Sequence, residues 1–302
     1  MTAATSTATV PAHRWRSPLL GAPRTIELEA GRIECFERGE GPVIVFAHGW
    51  LANANLWRKV VEPLSARFRC IALDLPLGSH RVPMDADADL TPTGCGELIA
   101  AVLAALDLNE VTLVGNDSGG AYSQIAAAAH PGRLARLVLN SCETPYGPFP
   151  PPPFDGLPAL AADPADLGRA LGALRDPEVR VSPAAYGLLA RHPIEAAAFD
   201  SYALPAATDP AILGDVAKVM SSADAAPVHA AGQQLIASFD RPVLLAWGPD
   251  DQVFPLALAA RYAAELADGR LVQIEDAYSF TPEDRPGPLA AAIEAFAGDR
   301  QR

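Results

Sequence analysis

From Thr25 to Glu37 apolar and polar residues alternate around a turn at Gly31, which predicts a half-buried β-hairpin. The pattern then changes to short unbroken apolar runs: VIVF from Val43 to Phe46, IAL from Ile71 to Leu73, VTLV from Val111 to Val114, LVL from Leu137 to Leu139, and VLLAW from Val243 to Trp247. A last strand is expected from Leu271 to Ile274. Such runs mark parallel strands covered on both faces. Amphipathic helical stretches at 96–106, 124–130 and 256–267 lie between them. Strand alternating with helix implies an α/β fold, whose ligands bind beyond the carboxyl ends of the strands.

The alternation stops between 144 and 227. That segment opens with Pro145, Pro148, Pro150 to Pro153 and Pro158, and continues rich in Ala, Leu, Asp and Pro. Proline is rejected from strand interiors, so the segment is expected to be helical. Following a central strand, it is expected to close a pocket above the sheet's carboxyl edge. The expected organisation is a flexible leader over 1–22, a core made of 23–143 and 228–302, and an inserted cap over 144–227.

Composition narrows the partners. The 302 residues carry 23 Lys and Arg against 36 Asp and Glu, a formal charge of −13, and half are hydrophobic. That content supports a large core and excludes global disorder. An acidic chain without a basic cluster repels polyanions, so no nucleic acid and no anionic membrane is expected as main partner. A small, largely uncharged substrate fits better. Cys35, Cys70, Cys95 and Cys142 form no C-x-x-C pair and have no histidine at metal-ligand spacing. With no apolar run long enough for a signal peptide or a spanning helix, the expected location is cytoplasmic. No dinucleotide glycine pattern appears, and neither cofactor nor metal is expected.

The candidate chemistry centres on V-T-L-V-G-N-D-S-G-G, from Val111 to Gly120. A sharp strand-turn-helix corner strains its central residue and needs small residues two before and two after it. Centred on Asp117, those flanks are Gly115 and Gly119; centred on Ser118, they are Asn116 and Gly120. Asn116 is too large, which favours Asp117 as nucleophile over Ser118. The alternative for Asp117 is a simple helix N-cap.

These residues, with others in order, resemble the α/β-hydrolase family, and the aspartate resembles its haloalkane dehalogenase and epoxide hydrolase branch. The resemblance rests on His48-Gly49 after VIVF, Trp57-Arg58, Asp74-Leu75-Pro76, G-N-D-S-G, His130-Pro131, and W-G-P-D-D-Q-V-F-P from Trp247 to Pro255. It implies an α/β-hydrolase fold: a mostly parallel central sheet flanked by helices, with an inserted helical cap. It also implies that a carboxylate attacks carbon to form an alkyl-enzyme ester. The amides of Ser118 and Trp50 would form the oxyanion site, typically worth ~3 kcal/mol per donor. The Trp50 indole N–H is a further candidate donor to the leaving group, with a plain pocket-wall role as the alternative.

The family's acid maps to Asp251, with Glu143 as a second candidate because one dehalogenase subgroup places its acid there. The histidine position is Ser279, in S-F-T-P-E-D-R-P. Without that base, the ester on Asp117 would persist, and a serine mechanism would suffer more. His80 is the best rescue candidate by position, against an ordinary exposed loop histidine. Asp251 or Glu143 polarising water directly is the other route. Tyr186 and Tyr202 are the cap tyrosines available to protonate an opening epoxide, against ordinary packing roles. Leu51 replaces the usual oxyanion-turn proline. Two alternatives stay open: a degenerate member that only binds a ligand, and a lyase or isomerase on the same scaffold.

Overall fold

The computed structural model describes residues 11–299. Eight strands form one sheet: β1 (Ala22–Leu28), β2 (Gly31–Arg38), β3 (Val43–Ala47), β4 (Arg69–Asp74), β5 (Val111–Asn116), β6 (Leu134–Asn140), β7 (Val243–Trp247) and β8 (Gly269–Gln273). Their spatial order is β1-β2-β4-β3-β5-β6-β7-β8. β1 pairs antiparallel with β2 in the expected hairpin, and β2 antiparallel with β4. All pairs from β4 to β8 are parallel. β3 and β5 are buried along nearly their whole length, as their unbroken apolar runs require.

Register sets the site. Ala47 pairs with Gly115, Asn116 with Asn140, and Asn140 with Ala246, so β3, β5, β6 and β7 end along one edge. The turns after those strands therefore converge there, and they carry His48 to Trp50, Asp117, Glu143 and Asp251.

Helices Pro92–Ala105, Ser118–Ala129 and Ala225–Ser238 pack against one another, while Arg58–Leu64 packs on Pro286–Gly298. Between β6 and Ala225 the chain forms only short helices, the longest being Pro210–Ser221, and no strand. The expected boundary at 228 falls inside the helix Ala225–Ser238. That helix belongs with the core because it lies against Ser118–Ala129. No helix among the described residues is long and apolar enough to cross a membrane.

The leader expected over 1–22 is corrected in part. Residues 1–10 lie outside the described residues, but 11–22 are packed on the core. The Arg16 guanidinium meets Asp74 at 2.8 Å with both side chains buried, and Leu20 is wholly buried. The Ser17 amide donates to Asn55 Oδ1 at 2.7 Å. A stretch without a strand or long-helix pattern in sequence is thus anchored by partners 38 and 58 residues away. All four cysteines are buried as free thiols.

Candidate active site

β5 leads into the helix Ser118–Ala129 through a single residue, Asp117, at φ 54° and ψ −142°. A non-glycine residue there is strained by about 1–3 kcal/mol, which the surroundings must offset. They do so by fixing its backbone: Asp117 N donates to Ser141 O at 3.0 Å, and Gly120 N donates to Asp117 O at 2.7 Å. The flanks behave as the corner requires. A Cβ on Gly119 would stand 2.3 Å from His48 O, and one on Gly115 2.6 Å from Gly119 O. Asn116 falls outside those two positions and is buried with its Nδ2 donating to Asn140 O at 2.9 Å and Ser279 O at 2.8 Å.

The carboxylate of Asp117 faces the His48-Gly49-Trp50 turn so closely that a Cβ on Gly49 would lie 2.2 Å from Asp117 Oδ1. Ser118 N donates to Asp117 Oδ1 at 2.6 Å, and the Trp50 amide is close enough to lower the pKa of this carboxylate. The Trp50 amide in addition donates to Ser118 Oγ at 3.0 Å. Burial pushes the Asp117 carboxyl up to about 6, opposed by these hydrogen bonds and reinforced by the charge of Asp251.

Asp117, Ser118 and Trp50 form part of the wall of a cavity of about 290 Å³. The rest is mostly apolar, including Leu157, Leu171, Leu174 and Val179 from the insert. Its polar side chains are Asp117, Ser118, Glu143, Ser182 and Tyr186, apart from the indole of Trp50, and no histidine, lysine or arginine among the described residues lines it. Such a cavity suits a small apolar molecule presented to a carboxylate floor.

Asp251 lies beside this floor. Its Oδ1 accepts from Val253 N and Phe254 N, each at 2.9 Å, and from Ser279 Oγ at 2.7 Å. Burial raises its pKa, and those hydrogen bonds work against the rise. Ser279 is wholly buried. The neighbouring Asp250 instead points outward to Arg191 at 2.7 Å.

Glu143 is also buried and lines the same cavity. Its Oε2 has no hydrogen-bond partner among the described residues. Burial and the nearby Asp117 charge hold its carboxyl well above the ordinary range. Its uncharged, proton-bearing form is therefore favoured.

Several expected site residues have partners that the sequence does not show. His48 is wholly buried, its Nδ1 lies 2.9 Å from Gly49 O, and its Nε2 accepts from Leu75 N at 2.9 Å. Burial lowers its pKa to about 4, so it is a neutral brace of the oxyanion turn. The Trp50 indole N–H is committed to Tyr122 Oη at 2.8 Å, which leaves Trp50 a cavity wall. His80 is neither exposed nor in the cavity; its Nε2 sits 3.0 Å from Asp215 of the insert. Tyr186 lines the cavity, but its hydroxyl donates to Leu51 O at 2.7 Å. Tyr202 is buried elsewhere and donates to Glu283 at 2.7 Å, so the two tyrosines do not form a pair over Asp117. The supporting amides Asn116 and Asn140 were not foreseen. Asn140 Oδ1 accepts from Thr281 Oγ1 at 2.7 Å, which ties the Ser279 segment to the end of β6.

Residues 42–286 match the family model described as alpha/beta hydrolase fold. Haloalkane dehalogenase 2 of Mycobacterium tuberculosis is 26% identical over 292 residues, covering 89% of this chain and 93% of that protein. The cis-3-alkyl-4-alkyloxetan-2-one decarboxylase of Xanthomonas campestris pv. campestris is 30% identical over 276 residues, covering 85% and 88%. Among solved structures, the haloalkane dehalogenase DatA from Agrobacterium tumefaciens C58 superposes with a TM-score of 0.77 at 20% identity, covering 94% of this chain and 99% of that one. Strand order, elbow and matched span agree: this chain belongs to the α/β-hydrolase fold family.

Proposed function

We propose that this protein is a hydrolase that attacks small, largely apolar carbon electrophiles with the carboxylate of Asp117. One observation carries the reading: a carboxylate on a strained elbow forms the floor of an apolar cavity, with the amides of Ser118 and Trp50 directed at it. In the first step Asp117 displaces a leaving group from substrate carbon and forms an ester. When water attacks that ester, the oxyanion develops on the Asp117 carboxyl itself, where the Ser118 amide already donates and the Trp50 amide stands close by.

Two relatives support an alkyl substrate by their names, one acting on haloalkanes and one on a dialkyl oxetan-2-one. The helical segment between β6 and Ala225 acts as the cap that supplies the apolar wall. Ser118 is the weaker nucleophile because it follows the strained position and no histidine lines the cavity to deprotonate it. Ser279 occupies the place of the family's histidine, so the ester-hydrolysis step is the slow one.

Incubation with a short 1-bromoalkane tests the reading. The expected result is bromide release with a matching alkyl mass gain on the protein, both lost in Asp117→Asn. Neither bromide nor adduct from the unaltered protein would remove the basis of this reading.

A further inference from the structure

We infer that Glu143 serves as the acid and then the base of this cavity, taking the work that a histidine would do, and that the preferred leaving atom is therefore oxygen. The inference rests on the Asp117 reading and adds a second catalytic residue to it.

Three observations converge on Glu143. Among the described residues it is the one carboxyl besides Asp117 that lines the cavity, it is 5% exposed, and its Oε2 is aimed at no partner. An unpaired buried polar atom costs about 1–3 kcal/mol, so its retention calls for a ligand or a reaction that uses it. The titratable groups that face it are Asp117 beyond β5, Tyr122 on the helix Ser118–Ala129 and the adjoining Cys142, with no cation among them. Its own backbone amide is the one group that favours its ionised form, and burial with the Asp117 charge outweighs it, so the proton-bearing form is the one favoured at the start of the reaction.

That proton matters only for some leaving groups. A halide leaves as a stable anion and needs hydrogen-bond donors, but the Trp50 indole is engaged by Tyr122 and no side-chain cation lines the cavity. An alkoxide leaving from a strained cyclic ether needs a proton as it departs.

The steps balance as follows for an epoxide. Asp117 attacks a ring carbon, the carbon–oxygen bond breaks, and the departing oxygen takes the proton of Glu143, giving a hydroxyalkyl ester and a Glu143 carboxylate. Esterification removes the Asp117 charge, and with it part of what kept Glu143 protonated. The Glu143 carboxylate then accepts a proton from water as that water adds to the ester carbonyl. Collapse of the tetrahedral species breaks the ester bond, the alkoxide recovers the proton from Glu143, and the diol leaves. A final proton transfer from the Asp117 acid to Glu143 restores the starting state, and the sum is epoxide plus water giving diol.

The test compares 1,2-epoxybutane with 1-bromobutane on the intact protein and on Glu143→Gln, following adduct formation by intact mass. Both probes are expected to form an adduct with the unaltered protein. In Glu143→Gln the rate with the epoxide relative to the bromide is expected to fall about 10²-fold, the lower end for general acid catalysis. The hydroxybutyl adduct that does form should also persist rather than decay to diol. An unchanged rate ratio, or an unaltered protein that reacts with the bromide and not the epoxide, would overturn the role of Glu143 while leaving Asp117 as nucleophile. An unaltered protein that reacts with neither probe would remove the Asp117 reading and this inference together.

Discussion

Ser279 gives its hydroxyl to Asp251 Oδ1 across 2.7 Å, closing a buried contact between the loop after β8 and the loop after β7. A histidine held by the same aspartate would carry a ring that reaches onward and a nitrogen able to take a proton. Serine does neither. Asp251 thus has a hydrogen-bond donor at position 279, but that donor is a hydroxyl and not an imidazole.

Ser279→His places an imidazole base beside Asp251. Decay of the alkyl-enzyme ester is expected to accelerate about 10²- to 10⁴-fold, the range for general base catalysis. The position is wholly buried, so the larger ring also costs stability, about 1–3 kcal/mol. Adduct half-life by intact mass and the melting temperature check the two effects separately.

Stability should respond to pH through Asp117. Burial pushes its carboxyl to about 6 from an ordinary 3.8. Between those values the folded chain keeps a proton that the unfolded chain has lost, so this group's contribution to stability declines as pH rises through the window. Above it the penalty is at most about 3 kcal/mol for a difference of this size. Asp117→Asn is therefore expected to melt above the unaltered protein at pH 7.5, with the gap shrinking toward pH 4.5. A gap that does not change with pH would contradict this.

Trp50→Phe removes the indole N–H but keeps the ring in the cavity wall. Because that N–H is spent on Tyr122, the rate of reaction with 1-bromobutane is expected to drop less than about tenfold. A hundredfold loss would show that the indole turns to the leaving group during reaction.

Arg16→Met leaves Asp74 buried without its cation. Removing one partner of a buried pair costs about 3–5 kcal/mol, so the melting temperature should fall sharply. Denaturant unfolding of the variant measures the loss, and a negligible change would show that residues 11–22 do not brace the sheet edge.

The parts of this architecture that depend on local pattern were legible in the sequence. Unbroken apolar runs located β3 to β7, because a strand covered on both faces has no polar side. The glycines around Asp117 marked the elbow, because only small residues survive contacts as close as 2.3 Å. What was not legible depends on distant partners. Arg16 finds Asp74 58 residues on, and His80 finds Asp215 135 residues on, so one looked like leader and the other like an open loop. The Trp50 indole met Tyr122 for the same reason, and Tyr202 found Glu283. Glu143 was visible as a second candidate acid after a strand, through the resemblance. Its raised pKa follows from burial beside a second carboxylate, which neither periodicity nor spacing reports.

The most direct measurement locates the covalent bond. The protein is reacted with 1-bromobutane, digested, and the modified peptide fragmented in a mass spectrometer, in parallel with Ser118→Ala. The butyl group is expected on Asp117 in both proteins. A butyl group on Ser118, or its disappearance in Ser118→Ala with Asp117 intact, would contradict a carboxylate nucleophile.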